Sequence, residues 1–142
     1  MKLIIFMISI CVASEGAWDQ FEDIVSACES AFVGRNEEQR CISRARSVEV
    51  VRNCVNGFVG TQNELSCIDW ARSGAVVQTC IDEFVGTNNE LICIRYAPSP
   101  EVVRYCVSRE AGTNNELQCI KNSYRPETII TGLGLPILRR GT

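Results

Sequence analysis

Eight cysteines, Cys28, Cys41, Cys54, Cys67, Cys80, Cys93, Cys106 and Cys119, are evenly spaced, each followed by the next at a sequence separation of 13. Taken two at a time, they divide the chain into four units, each two intervals long, that begin at Cys28, Cys54, Cys80 and Cys106. The text between the cysteines repeats as well. Gly-Thr-x-Asn-Glu-Leu recurs as Gly60 to Leu65, Gly86 to Leu91 and Gly112 to Leu117, and the first unit keeps Gly34, Asn36 and Glu38 at less similar positions. A fixed period of this length implies a repeat architecture, in which one supersecondary unit stacks on the next because none can bury its apolar face alone.

Inside a unit the apolar residues are spaced for helices. In the stretch leading into the third unit Val76, Cys80 and Phe84 fall four apart, with Val77, Ile81 and Val85 beside them, which predicts a helix A that stops at Gly86. Thr87 with Glu90 reads as a capping box that starts a helix B, and Thr61 with Glu64 and Thr113 with Glu116 repeat it. Arg35 replaces the threonine in the first unit. Helix B places Leu91, Ile94 and Ala97 on one face, flanked by Cys93, and ends at Pro98. Ser99 is then placed to cap the next helix A, and Pro100 suits its first turn. The recurrent Asn-Glu-Leu is therefore read as helix-end chemistry, the alternative being a row of Asn and Glu along one edge that binds a ligand or a cation.

The expected fold is all-α, an array of four disulfide-bridged antiparallel helical hairpins built as a short solenoid or a compact bundle and spanning residues 15–131. Phe21, Ile24 and Val25 start the first helix A. In the fourth unit Glu110 and Ala111 replace the Phe and Val of the earlier units, as suits a terminal repeat. Pro126 and Glu127, matching Pro100 and Glu101, open a truncated fifth helix A in which Gly132 stands where the next cysteine is due. Residues 132–142 form a tail whose Leu133, Leu135, Ile137 and Leu138 are apolar enough to fold back over the last hairpin.

If helix A ends at the glycine and helix B starts at the next residue, the two cysteines of one unit both lie about 10 Å from the turn, at the same height. The expected pairs are Cys28 with Cys41, Cys54 with Cys67, Cys80 with Cys93, and Cys106 with Cys119. A rival register, pairing Cys41 with Cys54, Cys67 with Cys80 and Cys93 with Cys106, strands Cys28 and Cys119. Zinc sites and redox motifs want cysteines a few residues apart or histidine partners, and this spacing supplies neither. In building principle the unit resembles the cysteine-rich helical repeat proteins in which every hairpin carries its own bridge, and the small mitochondrial proteins whose paired cysteines join two helices. Its unit length and its cysteine interval differ from theirs, so no functional residue carries over.

The ninth cysteine, Cys11, lies in an N-terminal segment of a different kind. Met1 and Lys2 precede an apolar run from Leu3 to Ala13, and small residues follow at Ser14 and Gly16, which reads as a signal peptide over residues 1–14 with an alternative cut after Gly16. That run has 11 residues, whereas a membrane-spanning helix needs about 20. Acylation at Cys11 is disfavoured by Ile10, since a small residue is expected there. Removal of the segment leaves eight cysteines, an even number suited to disulfides in a secreted or periplasmic protein. It also takes the net charge from −3 to −4 by loss of Lys2. Such acidity does not suit nucleic acid, whose phosphates need Lys and Arg.

The chain contains no histidine, which removes the Ser-His-Asp and Cys-His arrangements. Lys121 and Ser123 stand two apart, a spacing that does not face on a helix. Carboxylate chemistry would have to use Asp82, Glu83 and Glu90 near one turn. No cofactor or metal is expected. Basic residues collect toward the B-to-A turns, at Arg44, Arg46, Arg52, Arg72, Arg95 and Arg104, against acids such as Glu64, Asp82, Glu83 and Glu90 toward the A-to-B turns. Arginine beside aromatics is the composition of a protein-binding surface, so Trp70, Arg72, Arg95, Tyr96, Arg104 and Tyr105 form the candidate edge. The competing reading is that Trp70 and Tyr96, equivalent positions on helix B, pack between hairpins. The expected function is that of a monomeric exported binding module for another protein or a surface glycan. A small secreted effector, toxin or inhibitor is the alternative, and a carboxylate-dependent hydrolase a third reading.

Overall fold

A computed structural model describes the backbone of residues 2–124 and the side chains of residues 16–124. The expected fifth helix A and tail lie outside the described residues. Eight helices and no strand make up the described part: α1 (Lys2–Ala31), α2 (Arg35–Arg44), α3 (Val48–Gly57), α4 (Thr61–Trp70), α5 (Gly74–Glu83), α6 (Thr87–Tyr96), α7 (Pro100–Arg109) and α8 (Thr113–Ser123). Both expected cleavage points fall inside α1. No helix of the described residues is long and apolar enough to cross a membrane.

Odd-numbered helices form one layer and even-numbered helices the other. Each helix packs on its hairpin partner and on the next helix of its own layer, giving a two-layer array of αα-hairpins. The four disulfides join Cys28 to Cys41, Cys54 to Cys67, Cys80 to Cys93 and Cys106 to Cys119, with Cα separations of 5.6–5.7 Å. The bridges therefore follow the hairpins, and the rival register is excluded. Every one of these cysteines is fully buried between the layers except Cys119, half-buried on the last hairpin. Around the bridges lie Val50, Val51, Val76, Val77 and Val103 from one layer and Leu65, Ile68, Ile94 and Ile120 from the other.

Ser47, Ser73 and Ser99 each cap the N-terminus of an odd-numbered helix, the hydroxyl accepting from the backbone N–H of Val50, Val76 and Val102 at 3.2–3.4 Å. The cap expected of Ser99 thus recurs at each of the three B-to-A turns between described helices, with Pro100 in the first turn of α7. At one turn the chain approaches itself closely. A Cβ on Gly74 would lie 2.7 Å from Cβ of Glu49, and Asn53 donates to the Gly74 carbonyl at 2.9 Å, tying α3 to the start of α5.

The A-to-B turns differ from expectation in two ways. Helix A of the third unit ends at Glu83, not at Gly86, and Phe84 is extended with φ −115° and ψ 150°. The physical reason is distance: the chain must cross between helix axes about 8–10 Å apart, and three extended residues span about 10 Å. Phe84 turns into the core while Val85 is 89% exposed, so Val85 is no part of the buried stripe. The second correction concerns the cap. Gly60, Gly86 and Gly112 are the N-cap residues, with φ of 93–98°, and Thr61, Thr87 and Thr113 are the first helical residues, so no threonine caps its helix.

The asparagine of the motif holds the turn instead. Asn63, Asn89 and Asn115 each donate a side-chain N–H to the carbonyl before the glycine, on Val59, Val85 and Ala111, at 3.0 Å. Glu37 stands in place of this asparagine in the first unit, and there Gly34 sits at φ 136°. Gly86→Ala forces a Cβ into this backbone region and is expected to cost about 1–3 kcal/mol. Urea denaturation with disulfides intact measures it, and an unchanged midpoint would show that the turn relaxes freely.

Candidate functional site

Residues at the C-terminal ends of the even-numbered helices line up because each hairpin repeats the same register. Trp70 ends α4, Tyr96 ends α6, and Arg95 and Lys121 occupy one equivalent position on α6 and α8. The Arg95 guanidinium lies 5.0 Å from the Trp70 ring centre and 5.4 Å from that of Tyr96. Lys121 lies 5.7 Å from the Tyr96 ring. Tyr124 meets Tyr96 edge to face at 5.6 Å, and Arg72, from the turn between α4 and α5, reaches the Tyr124 ring at 5.3 Å. These six side chains form one connected cluster across the second, third and fourth hairpins, held by cation–π attraction that is worth about 0.5–1 kcal/mol per exposed contact.

Four of the expected edge residues, Trp70, Arg72, Arg95 and Tyr96, are brought together here. Arg104 and Tyr105 are not: both lie on α7 in the other layer, where the Arg109 guanidinium lies 5.7 Å from the Tyr105 ring centre and donates to its hydroxyl at 2.6 Å. Trp70 and Tyr96 are half-buried and pack against the core, so packing between hairpins and display on the edge are properties of the same rings. Lys121 and Tyr124 are additions that the residue pattern alone did not single out. Position in the repeat was the available signal, since Tyr124 is the equivalent of Arg72 two units on and Lys121 of Arg95 one unit on.

The neighbouring charges are organised differently. Arg40 of α2 pairs with Asp69 of α4, donating from Nε and Nη2 to one carboxylate oxygen, while the other oxygen, Oδ1, is buried without a partner. That hydrogen bond holds the Arg40 guanidinium protonated even above its ordinary range. Arg72, Arg95 and Lys121 have no carboxylate within ion-pair distance among the described residues.

The expected carboxylates serve helix ends. Asp82 accepts from Gln78 at 2.9 Å on an exposed face, and Glu83 is exposed. Burial pushes Glu90 above the ordinary glutamate value, opposed by the hydrogen bond that its carboxylate accepts from the Gly86 backbone N–H. Glu101 is lowered by its own backbone N–H, by the Ser99 hydroxyl and by Arg104. Among the described residues no group of three or more Asp, Glu or Cys side chains is placed to hold a metal ion. A groove of about 360 Å³ between α1 and α3, bounded by Asp23, Ala27, Ala31, Val51, Arg52 and Val55, belongs to the opposite layer from the cation–ring cluster.

Comparison with protein families, characterised proteins and solved structures finds no match to this chain.

Proposed function

We propose that this chain is an exported, monomeric binding module that contacts a partner protein through the edge formed by Trp70, Arg72, Arg95, Tyr96, Lys121 and Tyr124, and that it carries out no enzymatic step. The observation that carries the reading is the cation–ring cluster itself, in which three cations without carboxylate partners among the described residues are stacked on aromatic rings across three hairpins. Aromatic and arginine side chains dominate the energetics of protein interfaces because they offer large contact area with few rotatable bonds to immobilise. Export is supported by the four intrachain bridges, which persist in oxidising compartments, and by the place of Cys11 inside the expected leader, whose removal leaves no odd thiol.

The test has two parts. N-terminal sequencing of the exported protein is expected to begin at Glu15 or Ala17, and immobilised exported protein is expected to capture a partner that a variant carrying Arg95→Glu and Lys121→Glu loses. Capture unaffected by both charge reversals would remove this edge from consideration.

The secreted effector, toxin or inhibitor reading rests on a different observation. Val33, Val59 and Val85 are 102%, 90% and 89% exposed at successive A-to-B turns, a row of apolar side chains on the short turns that close disulfide-bridged hairpins. A partner held by that edge would be lost on changing the valines to serine and retained on reversing Arg95 and Lys121.

A further inference from the structure

We infer that the cation–ring edge receives an acidic polypeptide segment in an extended, polyproline-like conformation, with carboxylates at every third residue. The inference rests on the binding reading above and names the chemistry of its partner. Arg95 and Lys121 hold the same position in consecutive hairpins, one repeat apart. Stacked helices place such equivalent positions about 8–10 Å from one another. A polyproline II segment has three residues per turn and rises about 3.1 Å per residue, so every third side chain returns to one face after roughly 9 Å. A β-strand returns a side chain to the same face after two residues, roughly 7 Å, and falls short of the next cation.

The cations are located before any ligand arrives. Arg95 is flanked by the Trp70 and Tyr96 rings, Lys121 rests on Tyr96, and Arg72 on Tyr124. A cation held near a ring by its charge keeps N–H groups that can still meet a carboxylate, so less freedom is lost on binding. Asp69, the acid nearest in sequence to Trp70, is already neutralised by Arg40 and does not repel an incoming carboxylate.

Two features favour a peptide with spaced charges over an anionic glycan. The Trp70 and Tyr96 rings are engaged by cations and packed against the core, and the more open Tyr124 ring carries Arg72, which leaves little aromatic face for a sugar ring. The chain is acidic overall, the exposed Glu101 follows the α6–α7 turn, and the exposed Glu49 packs beside Gly74 just after Arg72, so a dense polyanion meets repulsion that a carboxylate at every third residue avoids.

The experiment uses the exported, disulfide-intact protein and a labelled peptide of Glu-Pro-Pro repeats, with Gln-Pro-Pro repeats and a polysulfated oligosaccharide as comparison probes, read by fluorescence anisotropy at low and moderate salt. Glu-Pro-Pro is expected to bind at least tenfold more tightly than Gln-Pro-Pro and to weaken with salt. Arg95→Gln combined with Lys121→Gln is expected to lose that advantage while keeping the wild-type bridge pattern and helical circular dichroism, with a melting temperature lowered by only a few degrees for the cation–ring contacts removed. Lys121→Gln alone, which leaves Arg95 on its rings, is expected to weaken binding severalfold. Equal binding of both peptides, or binding untouched by the double variant, overturns the inference. Binding of the sulfated probe alone also overturns it but leaves the edge as a binding surface. If no probe binds while partner capture still depends on Arg95 and Lys121, the acidic peptide fails and the binding reading stands; if that dependence is missing too, both fall.

Discussion

Phe84→Ala is expected to destabilise the protein by about 3–5 kcal/mol, while Val85→Ala, one residue on, changes stability by less than about 0.5 kcal/mol. Both residues sit in the extended connection between α5 and α6, and extended backbone sends successive side chains to opposite sides. Phe84 is 3% exposed and Val85 89%. The Phe84 backbone N–H still bonds the Cys80 carbonyl at 3.1 Å, which completes the last turn of α5 and fixes the direction in which the ring enters the core. With Phe32 and Phe58 at equivalent positions, it is among the few large side chains that close the space between the layers at the turn edge. An alanine there leaves a void that a disulfide-stapled hairpin has little freedom to collapse. Urea denaturation of the two variants with bridges intact makes the comparison. A Phe84→Ala loss below about 1 kcal/mol would mean that the turn edge contributes little to the core, because buried Phe truncations ordinarily cost several times that.

The same pair of residues shows where the sequence misleads. Val77, Ile81 and Val85 continue a spacing of four, and nothing local marks Phe84 as the place where helical spacing gives way to alternation. What ends the helix is the gap between two axes, a tertiary distance that no stripe on one helix encodes. The bridges were legible because an unvarying cysteine interval leaves one register that uses all eight cysteines. The Ser99 cap was legible because its partner lies three residues away. Thr87 looked like a cap for the same local reason, but Gly86 adopts a backbone conformation open to few other residues and takes the cap position itself. In the candidate site, Trp70, Arg95 and Tyr96 could be read from repeat position. The approach of Arg72 to Tyr124 could not, since it joins residues two repeats apart across a tertiary distance that position in the repeat does not give.

Removing the third bridge outright, with Cys80→Ala and Cys93→Ala together, is expected to cost about 3 kcal/mol from loop closure alone. The bridged residues are 13 apart and both are fully buried. Changing both avoids a buried lone thiol, so the measured loss reports the crosslink and the small voids left by two sulfurs. Position in the array then sets how far the damage spreads. The third hairpin supports neighbours on both sides, α3 and α7 in one layer and α4 and α8 in the other, whereas the fourth packs chiefly on the third among the described helices. In a linear array stability is close to a sum of unit and nearest-neighbour contributions, so loosening an internal unit weakens two interfaces and loosening a terminal unit weakens one. The pair Cys106→Ala and Cys119→Ala, of equal loop length and with Cys119 only half-buried, is therefore expected to cost less than the pair at Cys80 and Cys93. Hydrogen exchange locates the difference. Loss of the internal bridge is expected to raise exchange in α3 to α8, and loss of the terminal bridge in α7 and α8 with little change in α3 and α4. Equal costs with uniform exchange would mean that the hairpins unfold as one cooperative body, and the bridges would then act on the unfolded chain without setting a hierarchy among the units.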